Sequence, residues 1–264
     1  MKNASRLNLS LLKENLTLMR ERLTHNQNVL TELSPSSNRQ RRAYAVFTDA
    51  LLAAGLVRIL EEPESSVKEF LTMAAHAVIP LFADYGKLLT TITQLPSGTE
   101  EQFVDTSLTN PWTYVQAVYA ALVADIPEVL SFLASLDTLN FQTNQGVTTP
   151  ILNEYSLLLQ CVIGQERFES AKTMTKAFLD SWDGCSDSEN AYWLVQVQAI
   201  DKLLNIDIAG FHTTLTTVEE ALDRYYIDSL QWDNPERFLA LPVLALLALE
   251  RQLKTRLTSV HPPA

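Results

Sequence analysis

The stretch Asn110 to Leu136, NPWTYVQAVYAALVADIPEVLSFLASL, constrains the fold more than any other part of the chain. It reads as two short helices broken at Ala124–Asp125. Asn110 suits an N-cap, and Pro111 suits the first helical position, where a missing N–H costs nothing. Tyr114, Val118, Ala121 and Leu122 then recur at helical spacing on one face. Asp125 followed by Glu128 predicts a capping box for the second helix, whose apolar face is Val129, Phe132, Leu133 and Leu136. A chain organised around such a pair must supply other helices to cover it.

The rest of the sequence does so. Residues 5–33 carry Leu9, Leu12, Leu16, Met19 and Leu23 at threes and fours, with charged residues between them. A turn at Ser34–Asn38 leads to a helix over about 38–60 that opens with Arg39, Arg41 and Arg42. Ser66 and Glu69 predict a capping box for a helix from 67, which Pro80 should kink or break, and His76 reads as packed against its apolar face. LPSGTEEQ is the clearest boundary. It separates an N-terminal helical region, 1–95, from a region of helical pairs, 96–264, though the two can form one continuous domain. After the central pair, Asp137 to Pro150 is the longest irregular segment and a candidate functional loop. Further helices are predicted over 150–163, 165–182 and 187–204, the last capped by Ser186 and Glu189, then over about 207–227. Asn234 and Pro235 start a final one that ends near Arg256. Only seven glycines occur in 264 residues, which disfavours folds needing many tight turns. The fold class expected is all-α: an irregular bundle or short solenoid of antiparallel helix pairs. QERFESA resembles the inter-helix part of a tetratricopeptide repeat, but no period of 34 recurs.

Charge narrows the partners. The net formal charge is −11, made of +5 over residues 1–60 and −16 over the remainder. Between Lys87 and Arg167, 79 residues contain no Lys or Arg but eight acids. An acidic body argues against nucleic acid, since phosphate binding needs cations that displace counterions. It fits a protein partner with a basic surface. Glu100, Glu101, Asp105 and Asp137 are the partner-binding candidates in that tract, and the Arg39–Arg42 cluster and the loop Gly184–Ser188 come next. Acids there also serve as helix caps in any helical fold.

Catalytic and metal signals are missing from the sequence. His25, His76, His212 and His261 show no metal-ligand spacing, and HExxH, CxxC, GxSxG and phosphate-loop motifs do not occur. Glu219, Glu220 and Asp223, with Arg224 beside them, read as a solvated face. Trp112, Trp182, Trp193 and Trp232 stand near helix ends, as core, seam or interface residues. Cys161 sits in an apolar helix and Cys185 in a loop, so no disulfide framework is expected. No cofactor, no metal and no enzyme activity are expected. The longest apolar run, Phe238 to Leu249, is too short to span a bilayer, and no signal-peptide core follows Lys2 and Arg6, so the expected location is cytoplasmic.

Two segments resemble the bacterial immunity protein 49 family, all-α proteins encoded beside polymorphic toxins. In the central pair the resemblance is carried by Tyr114, Ala117, Ala121, Leu122, Asp125, Leu130 and Leu133. In FHTTLTTVEEALDRYYIDSLQWDNPERFLALPVLALLALE it is carried by Phe211, Leu215, Ala221, Leu222, Tyr225, Asp233, Leu241 and Leu244. It covers roughly residues 110–250. The resemblance implies a stoichiometric, non-catalytic inhibitor that protects its own cell by binding a cognate toxin domain. The alternative from the helical pairing is a repeat-type adaptor or regulator that binds a peptide or protein in a concave groove.

Overall fold

The computed structural model describes residues 8–33, 37–83, 108–136, 149–164, 168–184, 187–231 and 234–260. The chain is all-α, and no strand occurs among these residues. The helices are α1 (Leu9–Glu32), α2 (Ser37–Ile59), α3 (Glu64–Phe82), α4 (Pro111–Ala124), α5 (Pro127–Ser135), α6 (Pro150–Ile163), α7 (Phe168–Trp182), α8 (Ser188–Leu204), α9 (Ile208–Asp228), α10 (Pro235–Leu239) and α11 (Leu241–Val260).

The central helix α4 is buried on every side: eleven of its fourteen residues are buried, among them Tyr114, Val118, Ala121 and Leu122. A helix apolar all round belongs in the middle of a core. α4 accordingly packs against α3, α5, α6 and α11, and Ala117, Ala120, Ala121 and Ala124 let those neighbours come close. Asn110 caps it as expected, accepting from the Thr113 N–H at 2.9 Å, with Pro111 in the first turn. Before it, α1, α2 and α3 pack in succession; after it, α6, α7, α8 and α9 do the same. One contiguous cluster of buried apolar side chains runs from Leu16 of α1 to Leu253 of α11.

Polar bonds pin the outer helices to this core. Arg22 of α1 donates from Nε to the buried Asp49 of α2 at 2.6 Å. Arg42, one of the three N-terminal arginines of α2, donates to the buried Asn26 at 2.7 Å, so part of that cluster is internal pairing. Tyr114 Oη donates to the Leu133 carbonyl at 3.0 Å and ties α4 to the end of α5.

Six sequence expectations are corrected. Asp125 does not cap α5: it adopts the left-handed region (φ 60) as the residue that terminates α4, and the next N–H, of Ile126, reaches back to the Ala121 carbonyl at 3.1 Å. That closure holds its backbone in a conformation an N-cap does not adopt. α5 instead begins at Pro127, with no side-chain cap. α3 starts at Glu64, ahead of Ser66, because Pro63 presets the entry and Glu64 suits a helix N-terminus. α8 is capped by Asp187, which accepts from the Asn190 N–H at 2.8 Å, while Glu189 accepts from Thr149 Oγ1 at 3.2 Å. His76 is exposed: the buried positions of α3 run through Phe70, Leu71, Ala74, Ala75 and Val78 and leave it on the opposite side. The final helix is two helices, interrupted at Ala240 in the left-handed region (φ 49). Pro242 follows, and with no N–H it cannot continue a helical ladder from α10. α3 itself runs through Pro80 to Phe82.

Candidate functional site

A groove of about 910 Å³ lies where the end of α4, the start of α5, the first turn of α3 and one stripe of α11 meet. Its position follows from the break at Asp125. By turning the chain there, the sequence exposes the last turn of α4 and the first turn of α5 side by side. α11 then lies along them, and Leu244, Leu247, Ala248, Arg251 and Thr255 face the groove at helical spacing. The floor is apolar, built from Leu122, Leu130, Ile163, Leu244, Leu247 and Ala248. Leu244, Leu247 and Val123 are only partly buried, so apolar surface remains for a partner to cover.

Three exposed charges on the rim have no ion-pair or hydrogen-bond partner for their side chains among the described residues: Lys68 of α3, Asp125 and Arg251 of α11. The other two charged residues of the groove are committed. Glu64 accepts from Arg58 at 2.5 Å. Glu250, 5 % exposed, holds its Oε1 2.7 Å from Lys254 Nζ and 3.2 Å from His212 Nε2. The carboxylate thus lies between Lys254 of its own helix and His212 of α9. Sequence reasoning missed it, although its position four residues after Leu246 and three before Leu253, both buried, places it on the buried face.

Behind the groove the core holds a polar and aromatic cluster joining α4, α6, α8 and α9. The Tyr119 and Tyr155 hydroxyls are 2.5 Å apart, and Tyr119 also donates to Gln196 Oε1. Gln196 Nε2 donates to the Tyr192 carbonyl at 2.9 Å. Burial pushes the Tyr119, Tyr155 and Tyr192 hydroxyls well above the usual phenol range, so these groups stay neutral. Trp193 meets Trp112 edge-on with ring centroids 5.5 Å apart, and Tyr192 stacks on Tyr225 at 4.8 Å. Beside this cluster, Glu236 of α10 accepts on Oε2 from Gln116 Nε2 at 3.1 Å and from Tyr226 Oη at 3.4 Å. Burial raises its carboxyl pKa, and the two hydrogen bonds oppose that rise.

The four acidic candidates Glu100, Glu101, Asp105 and Asp137 lie outside the described residues, as do Cys185, Ser186, Trp232 and His261. Glu219, Glu220 and Asp223 are exposed on α9, and Asp223 pairs with Arg237 at 2.8 Å. Trp182 donates to Glu154 at 2.9 Å. Cys161 is partly buried, with its Sγ 3.3 Å from Met174 Sδ. Among the described residues no group of three or more His, Cys, Asp and Glu could hold a metal ion, and no helix is long and apolar enough to cross a membrane. Comparison with protein-family models, with curated proteins and with solved structures finds no match.

Proposed function

We propose that this chain is a non-catalytic binding protein that neutralises a cognate bacterial toxin domain, and that the groove is where the toxin docks. The observation that carries the reading is the groove's composition: an apolar floor, partly open to solvent, under a rim of uncommitted charges. Such a surface offers burial for affinity and charge for register. Leu122, Asp125, Leu130 and Leu244, all among the residues that carry the resemblance to the immunity family, line it. The net charge of −11 draws a basic toxin at long range, with the tract around Glu100, Glu101, Asp105 and Asp137 contributing to that field. At contact, Lys68 and Arg251 receive carboxylates of the toxin, and Asp125 receives a cation.

A peptide-binding adaptor is the second reading, favoured by the successive packing of α6, α7, α8 and α9 as in a short solenoid. Co-expression separates the two. Cells that express the toxin domain encoded beside this chain survive when the chain is present and die when it is not. Equal survival in both cultures, for every neighbouring toxin candidate, overturns the toxin reading.

A further inference from the structure

The walls of the groove restrict the backbone conformation of whatever fills it. The described residues that line it all lie in helices except Asp125, in the turn between α4 and α5. No strand occurs among the described residues, so the groove offers no sheet edge for an incoming strand to extend. An extended segment would lay its own N–H and C=O groups on the apolar floor, where leaving them unpaired is costly. An α-helix arrives with those groups already paired within itself and needs only side-chain contact. The relief of the floor suits one. On α11, two rows spaced four residues apart line the groove: Leu244, Ala248 and Gln252, and beside them Leu247, Arg251 and Thr255. Rows of this kind form ridges, and the furrow between two of them takes a ridge of a second helix. Together they run about 16 Å along α11, or about three helical turns.

The rim restricts the occupant's charge. Its exposed and uncommitted groups are two cations, Lys68 and Arg251, against one anion, Asp125, in a chain whose net charge is −11. The charge left for a partner at the groove is therefore opposite in sign to that of the body, and complementarity at contact asks for acids. We infer that the groove receives an amphipathic α-helix of the toxin, about three turns long, apolar on the face that meets the floor and acidic on its flanks. This rests on the docking reading and adds the docking element to it. The toxin is basic as a whole, which the field of the acidic body rewards at long range. Its docking helix is an acidic patch on that surface, which Lys68 and Arg251 select at contact.

The test is amide hydrogen exchange of each candidate toxin domain encoded beside this chain, alone and with the chain present. Cα chemical shifts of the labelled toxin give the conformation of the segment that becomes protected. The expected result is protection centred on one helix that carries Asp or Glu beside an apolar face. Reversing two of those acids to Lys should weaken binding to the wild-type chain by about tenfold or more, and should restore binding to Lys68→Glu/Arg251→Glu. A toxin that binds through a strand or an extended loop overturns the inference and leaves the neutralising function standing. So does a toxin whose charge reversal is not rescued by the reversed chain. Binding by none of the candidates overturns the docking reading itself, and the inference falls with it.

Discussion

Gly55 of α2 sits against the backbone of Pro235 in α10: a Cβ on Gly55 would stand 2.2 Å from the Pro235 carbonyl oxygen and 2.5 Å from its carbonyl carbon. Backbone cannot yield as a flexible side chain can, so the contact demands glycine for space rather than for dihedral freedom. It also joins a helix from the first quarter of the chain to one from the last. Gly55→Ala should therefore cost about 1–3 kcal/mol, as overpacking of a tight contact does. The check is urea unfolding of the two chains, where the midpoint should fall with little change in slope.

The Tyr119 hydroxyl is the hub of the buried network with Tyr155 and Gln196. Tyr119→Phe keeps the ring and removes the hydroxyl, leaving Gln196 Oε1 with only the longer Tyr155 bond at 3.3 Å. The expected loss is about 1–3 kcal/mol, the cost of an under-satisfied buried polar group. In Tyr155→Phe, Gln196 Oε1 keeps its shorter bond from Tyr119, so that variant should lose less. Chemical denaturation of both variants checks the ranking.

Besides Ala240 after α10, four helices among the described residues end on a non-glycine residue in the left-handed region: Glu61, Asp125, Ile206 and Leu230. In each case the following N–H closes onto a carbonyl five residues back, as in Glu62 to Val57 and Gln231 to Tyr226. This is how the chain turns between helices with so few glycines. It has a conformational cost of about 1–2 kcal/mol per residue, highest for a β-branched side chain. Ile206 is 61 % exposed and Leu230 83 % exposed, so neither recovers much by burial. Ile206→Gly and Leu230→Gly should each stabilise the fold by about 0.5–1 kcal/mol, after allowing for the greater freedom of glycine when unfolded. Thermal melts should show both gains, and they should add.

Burial holds the Glu236 carboxyl pKa above that of an unfolded glutamate. The folded chain therefore binds this proton more tightly than the unfolded one. The corresponding stability is fully present below the unfolded value, about 4.3, and is lost as pH rises through the folded value. Glu236→Gln keeps the shape and an acceptor for Gln116 and Tyr226 but carries no such dependence. Its melting temperature should exceed the wild type near pH 7, and the gap should narrow as pH is lowered to about 4.

Much of the helical framework was legible in the sequence because helix starts are written locally. Asn110–Pro111, Thr149–Pro150 and Asn234–Pro235 each mark a first turn, and each is one. Ends were harder, because the residues that close them are Glu, Asp, Ile and Leu, which carry no end signal. Asp125 misled for that reason: an acid three residues before another acid looks like a cap, but the Ala121 carbonyl claims the turn. The groove was not legible at all. Lys68, Leu130 and the stripe from Leu244 to Arg251 come together only through packing, and no spacing in the sequence relates the three helices that carry them. The cation-free tract drew attention to four acids, whereas the uncommitted charges of the groove include two cations from outside that tract.

Docking in the groove is tested most directly by calorimetric titration of each candidate toxin domain encoded beside this chain into the wild-type chain and into Lys68→Glu/Arg251→Glu. Both side chains are exposed, so the double variant should fold normally. Docking of the toxin in the groove predicts tight one-to-one binding by the wild-type chain and a loss of about tenfold or more in the variant, as expected when two contact charges are reversed at a docking surface. Equal dissociation constants for the two chains would contradict docking in the groove, and no binding by either would contradict the neutralising function itself.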